Sequence, residues 1–449
     1  VPALAALPHF PGVVQVAPNR LVPMAAYPSD PGVASQYSLS NTAAFPSWDY
    51  GTGSTGKVTI AVIDTGMDGT HPDLLGKIVN VGAIQRQSFD AVTGAQAANH
   101  PPTDSFEHGT QVASVAAAMT NNGIGIAGVS WGAQLISLKI FNAGNGNTSD
   151  NAISAAITYA ANTLQNNADI GKLVVNLSVG GPGACGTLPL TRAALTNLVT
   201  TKLVPIAIAS GNSSPQACTN GGNEGVDAPA NCAGVSAAAG IVPVGATNSS
   251  NNVASFYCRG AELNAHGVSA PGESVLVDTP GGGTTNTSGT SFSSPFVAGL
   301  MANMLSYNQN LTPAQIQSYI RAGAYSIGGL SLAPGGNASG AGQVNLFRTM
   351  RLTVNGTLAG FDGEVKPIAF PNPFKPSQTN DVNFAIPPSL QGGQMSVKIY
   401  TLDGTFVRTV TGLSWNGKNT DGNAVASGTY VFVVTTSAGT GSGRVSVLR

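Results

Sequence analysis

The chain has 449 residues, enough for a large core and more than one domain, yet only 9% of them are charged and the net charge is −1. An average soluble domain carries roughly 25% charged residues, and this sparse, balanced set excludes the clustered Lys and Arg on which nucleic-acid binding rests. No apolar run approaches the roughly 20 residues needed to span a bilayer.

Residues 1–27 are rich in Pro and Ala and lack a long periodic pattern. The first residue is valine and no signal peptide is visible, so the sequence reads as processed or truncated at its start. "GTGSTG" (51–56) matches G-x-G-x-x-G, but a strand follows it where a dinucleotide site needs one before it; a flexible turn is the better reading. Short apolar runs then predict buried strands: "KVTIAVID" (57–64), "QLISLKI" (134–140), "KLVVNLS" (172–178) and "VPIAIAS" (204–210). Helical patterns alternate with them. "TSDNAISAAITYAANTL" (148–164) opens on N-cap residues, and "LTPAQIQSYI" (311–320) offers Thr312 as N-cap with Pro313 at the first helical position. This alternation predicts an α/β fold with a mainly parallel sheet and helices on both faces.

Past residue 350 the texture changes. "FPNPFKPS" (370–377) precedes short alternating runs at 382–387, 395–402, 405–410, 429–436 and 444–449, punctuated by "LDGT", "TDGN" and "ASGT". They predict a small all-β sandwich, with a boundary around 351–368. Four cysteines, Cys185, Cys218, Cys232 and Cys258, form no C-x-x-C. They allow three pairings, and an even count in one region fits two disulfides and an oxidising compartment.

Ligands of open parallel sheets gather at the C-terminal ends of strands, where Asp64 closes "VTIAVID". His108 opens a helix with a buried face at Val112, Val115, Ala116 and Met119. Phe292, Phe296, Val297, Leu300, Met301 and Met304 predict a helix buried nearly all round. Pro295 fits such a helix only near its start, where backbone N–H groups have no intrahelical partner, which puts the N-terminus near Ser291. A hydroxyl there feels the positive end of the dipole beside free N–H donors. Gly289 leaves room for substrate, the polar stretch 284–290 reads as an open approach, and Ser293 and Ser294 pack or cap. Serine needs a base oriented by a third group; Asp64, His108 and Ser291 supply these in the order Asp, His, Ser. An α/β-hydrolase places serine first on a G-x-S-x-G elbow, which "GTSFS" lacks.

"AVIDTGMDGTHPDL", "HGTQVASV", "NLSVGG", "ASGN" and "GTSFSSPFVAG" together resemble the signature blocks of the subtilisin-like serine proteases, the subtilases. The resemblance runs from about 28 to 350 and implies a secreted serine endopeptidase with a three-layer fold. It assigns Asp64, His108 and Ser291 as a catalytic triad and Asn212 as the oxyanion-hole donor. Ser178, Val179, Gly180 and Gly181 resemble the strand that pairs with substrate, and Gly144 and Gly146 the opposite substrate segment. It implies a structural Ca²⁺ held by Asp30, Asp73, Thr120, Asn122, Ile124 and Ile126. By the same likeness Cys218 pairs with Cys258, leaving Cys185 with Cys232. "FPGVVQVAPNR" (10–20) resembles the last strand of an inhibitory propeptide, so protein and peptide substrates and the chain's own propeptide are the implied partners.

Residues 367–449 resemble immunoglobulin-like C-terminal sorting modules of bacterial secreted proteins, which implies contact with a secretion or cell-surface machinery. The domain reading is therefore 1–27 as propeptide remnant or linker, 28–350 as peptidase, 351–366 as linker and 367–449 as β-sandwich. Glu107, Gln111, Ser114 and Phe292 depart from common family residues without removing a catalytic group; Phe292 stands where Met is common. Asp227 and Glu224 precede Pro229 near the expected pocket floor, where they would favour a basic substrate residue; a solvated loop is the reading the sequence favours.

Overall fold

An unbroken run of β-branched and small apolar residues makes the strand Val58–Asp64 (β1), buried at every position, as a strand covered on both faces must be. The structure is a computed structural model. It describes residues 28–79, 88–97, 103–165, 167–212, 219–220, 223–234, 239–325, 340–358, 367–370, 372–377, 380–386, 390, 394–410 and 412–449.

The main sheet continues with Ser88–Asp90 (β2), Ala95–Ala97 (β3), Gln134–Lys139 (β4), Lys172–Leu177 (β5), Ile206–Ala209 (β6), Ile241–Thr247 (β7) and Val268–Pro271 (β8). Their order is β8-β7-β6-β5-β1-β4-β2-β3. Every pair is parallel except the edge pair β2–β3. Alternate side chains of β1 enter different cores. Val58, Ile60 and Val62 join a cluster with helices His108–Ala117 (α1) and Thr290–Tyr307 (α4), whereas Ala61 and Ile63 pack with Asp150–Tyr159 (α2) and Pro189–Thr200 (α3). The result is the expected three-layer α/β arrangement.

Local signals set the helix starts. The Ser149 side chain accepts from the Ala152 N–H at the head of α2. Thr312 and Gln315 form a reciprocal capping box on Pro313–Gly323 (α5). Leu346–Asn355 (α6) runs across residue 351, where the linker was expected to begin, and its Met350 and Leu352 are buried.

The serine helix begins near Ser291 as expected, but two details around it differ. Helix α4 starts at Thr290, so Pro295 lies inside it and leaves the Ser291 carbonyl without its usual i+4 donor. The Ser178 hydroxyl fills that place, donating to the Ser291 carbonyl at 2.8 Å. The polar stretch before α4 is not all loop: Thr284–Thr287 is a strand, antiparallel to Val275–Asp278, and forms an exposed ribbon.

Beyond α6, Ile368–Phe370, Val382–Ala385 and Ser414–Trp415 form one antiparallel sheet. Phe406–Val410, Ser396–Thr401, Gly428–Thr436 and Gly439–Val447 form another. Phe374, Phe384, Trp415 and Phe432 fill the core they share. Ala385 and Ile368 also pack into the core of the larger region, so the two regions are in contact.

Candidate functional site

Asp64 ends β1 fully buried, and its Oδ1 accepts from His108 Nδ1 and from the Thr65 N–H, each at 2.7 Å. His108 is the first residue of α1, so its ring projects from the helix mouth into a cleft of about 330 Å³ that Ser291 and Asn212 also line. Burial works against an imidazolium here. The charge and hydrogen bond of Asp64, with the further charge of Asp104, outweigh it and raise the His108 pKa above the ordinary histidine value.

Ser291 sits in the first turn of α4, 7% exposed, with its hydroxyl 3.4 Å from the Ser178 carbonyl. A polar chain fixes that turn to β5. Ser294 Oγ donates to Asn176 Oδ1 at 2.6 Å, Asn176 Nδ2 donates to Ser178 Oγ at 2.9 Å, and Ser178 Oγ donates onward to Ser291. Ser293 turns away and donates to the Ala270 and Pro271 carbonyls, at 3.1 and 3.2 Å.

Asn212 Oδ1 accepts from both the N–H and the hydroxyl of Thr290, at 2.7 and 2.9 Å. A backbone N–H only donates, so this contact fixes which end of the amide is oxygen and leaves Nδ2 free to donate. That Nδ2 lies against bare backbone: a Cβ on Gly289 would stand 3.3 Å from it.

Ser178, Val179, Gly180 and Gly181 line the cleft wall, with Phe141 on another side. Gly144 and Gly146 lie instead in an exposed turn held by Asn142 and are not among the lining residues. Phe292 is buried with its ring 5.4 Å from the His108 imidazole.

Asp104 was not picked out from sequence. It accepts from the hydroxyls of Thr65 and Thr110 and from the Thr110 and Phe106 amides, tying the start of α1 to the end of β1. Its one sequence signal is an acidic residue four positions before the histidine. Asp227 corrects the solvated-loop reading: it is 4% exposed, lines the same cleft, and burial pushes its pKa up to about 6. Only the backbone of Glu224 is described, as half of a short ladder with Thr219.

A second acidic centre lies beneath the loop 120–126. Asp30 and Asp73, two of the expected calcium ligands, are buried there. Asp30 accepts from the Asn121 and Asn122 amides at 2.8 and 3.0 Å, and Asp73 from the Ile126 amide at 3.1 Å. Asn122 turns its Nδ2, rather than the expected oxygen, to Asp73 Oδ1 at 2.6 Å. Asp278 joins them, fully buried, with neither oxygen hydrogen-bonded. Burial first, and then the Asp73 charge, raise its pKa strongly. A Cβ on Gly125 would come within 2.0 Å of Asp73 Oδ2 and 2.8 Å of Asp278 Oδ1, so only glycine leaves these carboxylates their space. Cys185 and Cys232 are bridged. Cys258 is buried and disulfide-bonded, while Cys218 lies outside the described residues.

The subtilase family profile matches residues 55–353. A thermophilic serine proteinase of Bacillus sp. (strain AK1) is 35% identical over 307 residues, 68% of this chain and 66% of its own length. An extracellular protease of Xanthomonas campestris pv. campestris is 32% identical over 384 residues, 77% of this chain and 60% of its own. The chain thus spans less than two thirds of the length of either. Thermitase of Thermoactinomyces vulgaris is 31% identical over 326 residues, 72% of this chain and 99% of its own. A solved protease of Pseudoalteromonas arctica PAMC 21717, 24% identical, shares the fold with a TM-score of 0.58 over 73% of this chain and 100% of its own. A cold-adapted subtilisin-like serine proteinase superposes with a TM-score of 0.50 at 25% identity, over 66% of this chain and 90% of its own. The class is that of the subtilisin-like serine proteases. The chain belongs to the subtilase family, and no helix among the described residues is long and apolar enough to cross a membrane.

Proposed function

We propose that this chain is a serine endopeptidase that hydrolyses peptide bonds of proteins through an acyl-enzyme on Ser291. The observation that carries the reading is the 2.7 Å bond between Asp64 and His108 in the cleft that Ser291 lines. Asp64 holds the His108 Nδ1–H, which leaves Nε2 unprotonated and able to take the Ser291 proton as Oγ attacks the scissile carbonyl. The tetrahedral oxyanion is met by Asn212 Nδ2 and by the Ser291 N–H in the first turn of α4. His108 passes its proton to the departing amine, and a water activated by the same imidazole releases the acyl group. Extended substrate adds as a strand along 178–181, with Gly144 and Gly146 on the opposite side further from the reacting bond.

Subtilases are generally calcium-binding, and the acidic centre fits that role. Asp278 has two unpartnered oxygens beside Asp73, Asp30 is buried close by, and a glycine keeps the space open, although no group of three carboxylates among the described residues is close enough to hold an ion as it stands. Asp30, Asp73 and Asp278 would supply charge and Thr120, Ile124 and Ile126 their carbonyls, while Asn122 would supply its side-chain oxygen only with its amide reversed from the orientation seen. The ion is structural and takes no part in the reaction.

Secretion is supported by the cysteine usage and by the extracellular relative. A propeptide inhibitor would come from the segment containing 10–20, outside the described residues. The tail, 367–449, is the candidate contact for an export or surface machinery. The rival reading is an inactive surface-binding protein. Casein hydrolysis and fluorophosphonate labelling, both expected in the native chain and both absent in Ser291→Ala, separate the two; a native chain that does neither rules out the peptidase.

A further inference from the structure

We infer that Asp227 is a specificity residue that selects substrates with a basic side chain, Arg or Lys, immediately before the scissile bond. This rests on the peptidase reading and deepens it.

Asp227 lies between the two segments that wall the cleft. Its N–H donates to the Ser210 carbonyl at 2.9 Å. Its Oδ2 lies so close to Gly211 that a Cβ there would come within 2.2 Å. Its own Cβ faces Gly180, where a side chain would stand 3.3 Å away. Glycine on both walls leaves the slot bounded by backbone, with the carboxylate between them and Ser291 lining the same cleft.

The carboxylate is nearly buried and makes no hydrogen bond or ion pair among the described residues. Burying a charge without a partner is costly, and such carboxylates are normally paired or liganded. Among the described residues none supplies a cation to this site, which leaves what enters the cleft to do so. An acidic group at the base of a substrate pocket is the established physical route to selecting Arg or Lys, because apolar side chains leave the charge desolvated and uncompensated.

The slot is also braced, so Asp227 has little freedom to swing into solvent. Gly181 and Ala228 exchange two backbone hydrogen bonds of 3.0 Å. Asn231 Nδ2 donates to the Gly183 carbonyl at 2.8 Å. The Cys185–Cys232 bridge joins the same two segments a few residues further on.

The test is a cleavage profile on a peptide library, with active sites counted by fluorophosphonate titration, for the native chain and for Asp227→Asn. The native chain should favour Arg and Lys before the cut. The ratio of kcat/KM for an Arg peptide to that for its Leu counterpart should fall about 100-fold in Asp227→Asn. An active native enzyme that prefers Leu or Phe, or a ratio unmoved by the substitution, overturns the inference and leaves the peptidase reading standing. A native chain with no titratable serine overturns that reading instead. If Asp227→Asn does not fold, benzamidine decides: competitive inhibition of the native enzyme by this amidinium probe supports the inference, and its absence overturns it.

Discussion

At the scale of single residues, His108, the proposed general base, should govern the response to pH. Only the neutral imidazole can take a proton from Ser291. Because Asp64 and Asp104 raise its pKa, activity disappears as pH falls through a value above the ordinary 6.5 or so. The acid limb of kcat/KM should therefore lie above that value, and Asp104→Asn should move it to lower pH. A limb that stays put in Asp104→Asn removes the second carboxylate from the account. Phe292 offers a different test. It packs against the imidazole without an oxidisable thioether, so native enzyme should outlast Phe292→Met in peroxide; equal losses would sink that idea.

The residue scale was also the most legible in sequence, because Asp64, His108 and Ser291 sit at element ends that hydrophobic patterning marks out. Asp227 was harder. Burial of a loop carboxylate depends on which distant segments close over it, here Gly180 and Gly211, and neither contact has a local signature. Asp278 was missed for a similar reason: its strand reads as ordinary, and only tertiary packing, with its N–H on Ser114 Oγ, brings it to Asp73.

At the scale of elements, helix α4 tolerates Pro295 because another segment replaces the missing donor. Ser178→Ala should leave the Ser291 carbonyl unsatisfied and destabilise the protein by about 1–3 kcal/mol in a urea melt. Pro295→Ala restores a backbone N–H to that carbonyl, so the penalty should shrink in the double variant. Purely additive effects would show that the two do not serve the same oxygen. Strand cores and helix caps such as Thr312 were plain in sequence because they are set locally. The hairpin 275–287 was not, since its Thr-rich second strand carries no apolar alternation and is specified by its pairing with Val275–Asp278.

At the scale of the whole molecule, the loop 120–126, the buried Asp30 and Asp73, and Asp278 come from parts of the chain far apart in sequence. A cation that binds only this folded arrangement stabilises it through linkage. Removing calcium with EDTA should thus lower stability by about 3 kcal/mol relative to the calcium-saturated protein, read as faster thermal inactivation that added calcium reverses. Inactivation unaffected by EDTA would set the calcium reading aside. The tail was readable as a sandwich from its alternating strands, but its contact with the larger region through Ala385 and Ile368 was not. Such contacts depend on shape across a boundary and leave no periodic trace.

The ribbon formed by Val275–Asp278 and Thr284–Thr287 joins these scales. One end carries Asp278 into the acidic centre; the other leads through Ser288 and Gly289 into the first turn of α4. The Ser274 N–H donates to Ser288 Oγ at 2.9 Å and the Gly289 N–H to the Gly272 carbonyl at 2.7 Å, so the ribbon is fastened just before the nucleophile. It forms a short strut from the acidic centre to the helix that carries Ser291. Loosening the acidic centre would act along it on the placing of the Ser291 hydroxyl, so calcium removal is expected to slow turnover as well as hasten thermal inactivation.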